Sequence, residues 1–173
     1  MDFILRPWTL NDLNSLVSFA NNPGIAKNMT DQFPHPYNAI NGRTFIDFAT
    51  RDTPARMFAI EIEGKAAGGI GLHPQHDIQR KNAELGYWLA EPYWGKGIMT
   101  EAIVRMTDYG FEQLEDIERI FARPFGNNTG SQRALEKAGF AFEARFHKTF
   151  FKHGEYIDEL YYAVWKDQWK SRN

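Results

Sequence analysis

The sequence predicts an α+β fold, with a mostly antiparallel sheet of about six or seven strands and about four helices. Three features support this. Residues 57–74 fit two strands joined at Glu63-Gly64, because glycine accepts the positive backbone angles of a tight hairpin turn. From Gly97 onward the apolar residues recur at helical spacing. No repeat or linker interrupts the 173 residues, so we expect a single domain over 1–173.

The other elements follow from the same two periodicities. Helices are predicted over 9–22, 39–52, from Gly97 to near Gly110, and over 127–140, where Gly139 ends the last one. The Asn-Asn-Pro-Gly run at 21–24 breaks the first helix, and residues 28–38 form an ordered loop rich in aromatic residues and prolines. Strands are predicted over 3–8, 57–74 (two), 82–90, 119–125 and 142–165 (two, turning at His153-Gly154).

Composition excludes several classes of protein. A net charge of -2 leaves no basic surface of the kind that nucleic acids require, so no nucleic-acid partner is expected. The absence of cysteine excludes disulfides, thiolate metal sites and a cysteine nucleophile. No stretch has the apolar length of a signal peptide or membrane span, which predicts a cytoplasmic protein without a membrane partner. The two histidines of His73-Pro74-Gln75-His76 have no third ligand nearby, so no metal is expected.

The stretch YWGKGIM at 93–99 places two glycines between a strand and a helix. It is not a Walker A loop, since Gly97 stands where Ser or Thr would hold magnesium, and it lacks the third glycine of the dinucleotide motif. Backbone N–H groups at a helix start can nevertheless converge on an anion, and glycines allow close approach. The stretch is therefore either a phosphate-binding turn or a plain connection.

The surrounding residues support the first interpretation. AELGYWLAEPYWGKGIMTEA at 83–102 resembles motif A of the GNAT acetyltransferase superfamily, and NNTGSQRALEKAGF at 127–140 is similar to its motif B. With GEYIDELYYAVW at 154–165, they resemble the RimJ/RimL-like branch in particular. The resemblance covers nearly the whole chain and implies the GNAT-like acyl-CoA N-acyltransferase fold, in which a central mixed, mostly antiparallel sheet is flanked by the helices.

The resemblance implies that acetyl-CoA is the cosubstrate and that main-chain amides hold its pyrophosphate. Trp94 and Met99 depart from the [QR]-x-x-G-x-[GA] pattern of the superfamily, but amide donors do not depend on side-chain identity. The main-chain N–H of Leu89 would face the thioester oxygen, and Lys96 could add a positive charge. The implied coenzyme-binding residues are Leu89, Gly95, Lys96, Gly97, Ile98, Met99, Thr100 and Asn128.

Three residues are candidates for proton transfer. Glu84 lies near the position of the catalytic glutamate in many members of the superfamily, but a structural carboxylate bonded to an arginine or a neighbouring strand is the alternative; Glu61 is a weaker candidate base. Ser131 matches the serine given the role of acid in the RimJ/RimL-like branch, and Leu135 occupies the usual tyrosine position. Asn128 and Ser131 could instead serve only as helix-start residues that bond backbone groups.

The acceptor is less defined by the sequence. Phe33, His35 and Tyr37 match an aromatic loop that lies toward the acceptor side in this branch, although they could serve only to pack the loop. Asp158 is expected to form a cross-strand ion pair with Arg145 or Lys148.

The resemblance thus implies an N-acetyltransferase that moves acetyl to a primary amine, either a protein N-terminus, including that of a ribosomal protein, or a small molecule. Transfer would be direct, in a ternary complex, because the chain has no cysteine to acetylate. A noncatalytic acyl-CoA-binding module that acts through a partner is the alternative, and a homodimer is left open.

Overall fold

The computed structural model describes residues 1–171, which contain seven strands and six α-helices. The strands are β1 (Ile4–Pro7), β2 (Met57–Ile62), β3 (Lys65–Pro74), β4 (Asn82–Leu89), β5 (Arg119–Ala122), β6 (Ala141–Lys152) and β7 (Glu155–Trp165). The helices are α1 (Leu13–Ala20), α2 (Pro23–Ala26), α3 (Ala39–Ala49), α4 (Ile98–Gln113), α5 (Thr129–Ala138) and α6 (Lys166–Lys170). Short 3-10 turns precede α1, β4 and α4.

The seven strands form one sheet in the order β1-β2-β3-β4-β5-β7-β6. β1–β2, β2–β3, β5–β7 and β6–β7 pair antiparallel, whereas β4 and β5 run parallel. The parallel pairing joins residues 82–84 to residues 119–121. The predicted α+β class and the mixed, mostly antiparallel sheet are therefore confirmed.

The four helices of eight residues or more, α1, α3, α4 and α5, correspond to the four that the sequence predicts. The third helix was predicted to end near Gly110, which is wrong, because α4 continues to Gln113. Gly110 lies against the neighbouring side chains so closely that an added Cβ would be 2.4 Å from Leu72 and 3.0 Å from Ile120. The glycine permits this close packing and does not end the helix.

Two short helices were not predicted. The Asn-Asn-Pro-Gly run ends α1 as expected, but it also begins α2, where the Asn22 side chain accepts hydrogen bonds from Gly24 N (2.6 Å) and Ile25 N (3.3 Å). Proline suits this first position because its missing N–H would have no partner in the helix. After β7, α6 contributes the buried Trp169, whose Nε1 donates to Asp108 at 2.6 Å.

The chain divides into two compact units. The first comprises Met1–Gly71 with Tyr87–Ala102, and its core includes Trp8, Leu16, Ile46 and Trp88. The second comprises Leu72–Gly86 with the described residues from Ile103 onward; Ile103, Met106, Ile120 and Leu135 are among its fully buried side chains. Whether these units behave as the single domain expected from the sequence stays a prediction.

β6 is the last strand of the sheet order, and its pairing with β7 is irregular. The register shifts between Phe146 and Phe150, and Lys148 there has a φ of 57°. The Lys148 N–H donates to Asp158 Oδ1 on β7 at 2.9 Å. The bulge is thus held by a side chain of the neighbouring strand. Among the helices of residues 1–171, none has the length and apolar character needed to cross a membrane.

Candidate active site

The glycine stretch lies between the end of β4 and the start of α4, as the phosphate-binding interpretation requires. Gly95 and Gly97 have φ values of 74° and 79°, in the left-handed region that favours glycine. A Cβ added at either residue would have no heavy atom within 4 Å. Backbone conformation, not crowding, therefore calls for glycine at both positions, and the space beside them is open to a ligand.

The residues that follow enter the first turn of α4. The first N–H groups of any α-helix have no acceptor four residues earlier, so the amides of Ile98, Met99 and Thr100 are available to an anion. Ile98 is buried, which anchors this turn, while Met99 and Thr100 are half-buried. The sixteen residues of α4 add the partial positive charge of its N-terminus.

Lys96, the predicted source of positive charge, lies on an aromatic surface. Its Nζ is 5.4 Å from the centroid of the Tyr93 ring, and Tyr93 meets Phe19 edge-on at 6.2 Å. The side chain of Lys96 is exposed. A cation–π contact at an exposed site is worth about 0.5–1 kcal/mol, so Lys96 can leave the ring for an anion at small cost.

The end of β4 is bonded to the glycine stretch through Trp94. Leu89 is buried, and its carbonyl accepts a hydrogen bond of 2.7 Å from Trp94 Nε1. The next amide, Ala90 N–H, donates to the Ala67 carbonyl at 2.8 Å. Trp94 departs from the superfamily pattern, and the sequence alone does not predict this contact.

Glu84, the candidate base, is paired with an arginine. Arg123 donates to both carboxylate oxygens of Glu84 at 2.9 Å and to Glu159 at 3.1 Å, and Glu159 also accepts from Thr149 at 3.0 Å. The bond to Glu84, outweighing burial, raises the pKa of Arg123 well above its usual range. The ion pair is the structural arrangement that the sequence left open as an alternative for Glu84, whose catalytic role stays a prediction.

The other two carboxylates considered from the sequence are also paired. Glu61 accepts from Arg6, which in addition bonds Asp12 through both terminal nitrogens at 2.7 and 2.8 Å. Asp158 accepts from Arg145 at 2.7 Å. The cross-strand ion pair predicted for Asp158 is thus confirmed with Arg145.

Asn128 and Ser131 meet at the start of α5. Asn128 is the N-cap, and its Oδ1 accepts from the Ser131 N–H at 3.2 Å. Ser131 is half-buried, on the same stripe as the buried Leu135 and Ala138. The capping role considered for Asn128 is therefore present; it uses the side-chain oxygen, and a coenzyme would bond the two amide hydrogens.

The aromatic loop packs onto β4. Phe33 lies 5.2 Å from Tyr37 and 6.0 Å from Trp88, measured between ring centroids. Tyr37 is buried, and burial raises its pKa to about 12, whereas His35 is exposed. The structure thus brings Phe33 and Tyr37 together and leaves the side chain of His35 at the surface.

Sequence reasoning missed three partners of the predicted residues: Arg123, Trp88 and the indole N–H of Trp94. Arg123 follows β5 on the same face as Phe121, which pairs with Glu84 in the parallel register. Strand alternation could have found Arg123 only if the parallel pairing had been known. Within residues 1–171 no group of three His, Cys, Asp or Glu side chains could hold a metal ion.

Comparisons with known proteins identify the family. Residues 2–141 match the model of the acetyltransferase (GNAT) domain. The putative ribosomal N-acetyltransferase YdaF of Bacillus subtilis is 34% identical over 108 residues, which are 62% of this chain and 58% of that protein. The spermidine N(1)-acetyltransferase of Escherichia coli K12 is 27% identical over 166 residues, 95% of this chain and 87% of that protein.

A solved structure agrees with these matches. RimJ of Mycobacterium smegmatis, in complex with CoA-disulfide, superposes with a TM-score of 0.79 at 24% identity, over 94% of this chain and 81% of that chain. This likeness confirms the GNAT-like fold expected from the sequence. Since residues 2–141 match the domain model, the chain belongs to the GNAT acetyltransferase family.

Proposed function

We propose that this protein is an N-acetyltransferase that transfers acetyl from acetyl-CoA to a primary amine. The observation that carries the proposal is the loop with two positive-φ glycines that leads from β4 into α4, at the position of motif A. The amides from Gly95 to Thr100 would hold the pyrophosphate, and the open space beside both glycines fits such a group. Asn128 would bond the pantetheine arm.

The reaction joins an amine nitrogen to the acetyl carbon and breaks the bond from that carbon to sulfur. The chain then has three tasks: it must take a proton from the amine, stabilise the oxyanion and return a proton to the thiolate. The Leu89 N–H is proposed as the oxyanion donor. The zero cysteine count favours direct transfer in a ternary complex, because no acetyl-cysteine can form.

Glu84 is proposed as the base, acting through water. A carboxylate has about four acceptor sites, so the two bonds from Arg123 leave lone pairs for a water molecule. Arg123 also bonds Glu159, which keeps the guanidinium in place if one bond to Glu84 yields. Ser131 is proposed as the acid that protonates the departing thiolate.

The acceptor is proposed to be the N-terminus of a protein, including a ribosomal protein, or a small amine of the polyamine class. The names of YdaF and of the spermidine N(1)-acetyltransferase support these two classes. Phe33, His35 and Tyr37 are proposed to lie toward the acceptor, in line with the loop of this branch.

Thiol release from acetyl-CoA tests the proposal. The protein contributes no thiol of its own, so a thiol-reactive dye reports only the CoA that is formed. The panel should contain spermidine, free amino acids and peptides with the N-termini of ribosomal proteins, each with an N-terminally blocked peptide as the control. We expect at least one amine to raise thiol release above hydrolysis. Binding of acetyl-CoA without release for any acceptor would favour the noncatalytic binding module.

A further inference from the structure

The contact between Trp94 and Leu89 has a consequence for the reaction. We propose that Trp94 is a positioning residue: its indole N–H fixes the peptide after Leu89 and thereby orients the end of β4 toward the acyl group. This inference rests on the proposed function, because it assigns a task to the strand end that presents the Leu89 amide.

The peptide unit between Leu89 and Ala90 is bonded on both sides. Its carbonyl accepts from Trp94 Nε1 at 2.7 Å, and its N–H donates to the Ala67 carbonyl at 2.8 Å. A peptide plane held through both polar groups cannot rotate without breaking a hydrogen bond. The adjoining Leu89 side chain is buried, which limits movement on the other side of the plane.

The indole ring that makes this contact is itself braced, although 44% of Trp94 is exposed. A Cβ at Gly24 would lie 3.4 Å from Trp94 Cη2, so the ring packs against the backbone of α2. Asn22, which caps α2, also donates to Glu91 Oε2 at 2.8 Å, three residues before Trp94. The ring is therefore held against α2 while its N–H bonds the Leu89 carbonyl.

The position of Trp94 in the chain connects two tasks. It directly precedes Gly95, the first positive-φ residue of the proposed pyrophosphate loop, and its side chain reaches back five residues to Leu89. The same residue thus ties the phosphate-binding loop to the strand end that faces the thioester. Loss of the indole N–H should leave the loop amides intact, but the Leu89-Ala90 peptide would then be held only through its bond to the Ala67 carbonyl.

Trp94→Phe keeps an aromatic ring and removes the donor, and Trp165→Phe is the matched control, since Trp165 is 45% exposed. Calorimetric titrations of CoA and acetyl-CoA, without an acceptor, separate the two tasks. We expect Trp94→Phe to weaken acetyl-CoA binding about fivefold while CoA affinity changes less than about twofold, the loss of one hydrogen bond to the acyl oxygen. Trp165→Phe should change neither affinity.

A second variant tests the donor itself. Trp94→His retains a ring N–H and should recover part of the preference for acetyl-CoA over CoA. Equal losses for both ligands in Trp94→Phe, or no difference from Trp165→Phe, would overturn the inference while leaving the proposed function standing. If the wild-type protein binds neither ligand, the proposed function fails and the inference fails with it. Circular dichroism of each variant identifies a loss that arises from unfolding.

Discussion

Gly97→Ala tests the pyrophosphate loop, and the chain contains a closely matched control. Gly97 has a φ of 79° and Gly64, in the β2–β3 turn, has a φ of 75°. A Cβ at either position would meet no heavy atom within 4 Å. The two substitutions therefore impose nearly the same backbone strain and no steric clash, but only one lies in the proposed binding loop.

The strain sets the expected loss of stability. An alanine in the left-handed region costs about 1–2 kcal/mol relative to glycine, so each variant should lose about 1–2 kcal/mol in the free energy of unfolding. For a chain of this size that corresponds to a fall in Tm of about 2–8 °C. Thermal denaturation followed by circular dichroism measures this, and the two variants should be alike.

Coenzyme binding should separate the two variants. In Gly97→Ala, a shifted backbone misdirects amides, and the new methyl group occupies the open space beside the loop. A hydrogen bond to a charged group is worth about 1.5–3 kcal/mol, which predicts CoA binding about 10- to 150-fold weaker than in the wild type. Gly64→Ala should bind CoA normally in the same titration. Equal CoA affinities for the two variants would refute the assignment of Gly97 to the pyrophosphate loop.

The remaining predictions concern the carboxylates and Ser131. Glu84→Gln should lower kcat about a hundredfold, mainly below neutral-to-alkaline pH, and an unchanged pH–rate profile would remove Glu84 as the base. Arg123→Gln should reduce the free energy of unfolding by about 2 kcal/mol, between the values for exposed and buried ion pairs, because Glu84 and Glu159 lose their shared cation; urea denaturation measures it, and a loss below about 0.5 kcal/mol would contradict it. Ser131→Ala should slow turnover but spare CoA affinity, whereas weaker binding with intact turnover would make Ser131 a coenzyme contact. Asp12→Asn tests a pH dependence: burial acts to raise the pKa of Asp12, but hydrogen bonds from Arg6 and the Thr9 N–H lower it below its ordinary 3.8 overall, so the stabilisation is present above that value and is lost as the pH falls through the lowered pKa. The difference in urea midpoint between wild type and Asp12→Asn should therefore be larger at pH 7 than at pH 3, and a constant difference would contradict it.

The sequence predicted the strands and the longer helices because their periodicities are set by local burial. The hairpin at Glu63-Gly64 and the turn at His153-Gly154 were found from glycine alone, and all four residues have positive φ. Gly110 misled the prediction of the end of α4, because its purpose is close packing against Leu72, which local sequence does not reveal.

The backbone conformation of the proposed loop was predictable from its glycines, whereas contacts between side chains from distant segments were less so. The positive φ of Gly95 and Gly97 follows from the loop motif itself. By contrast, the pairing of Glu84 with Arg123 spans 39 positions and depends on the parallel register of β4 and β5. Neither the periodicity nor the composition of the sequence contains that register.

The bulge in β6 affects how this protein can associate with other chains. An edge strand invites a foreign strand to extend the sheet, and β6 is twelve residues long with Phe142, Phe146 and Phe151 exposed. The positive φ of Lys148 interrupts the strand between two of these phenylalanines, so one incoming strand cannot keep a single register along its length. The Asp158 bond that holds the bulge should therefore disfavour the edge-to-edge aggregation that such an apolar edge strand would otherwise favour.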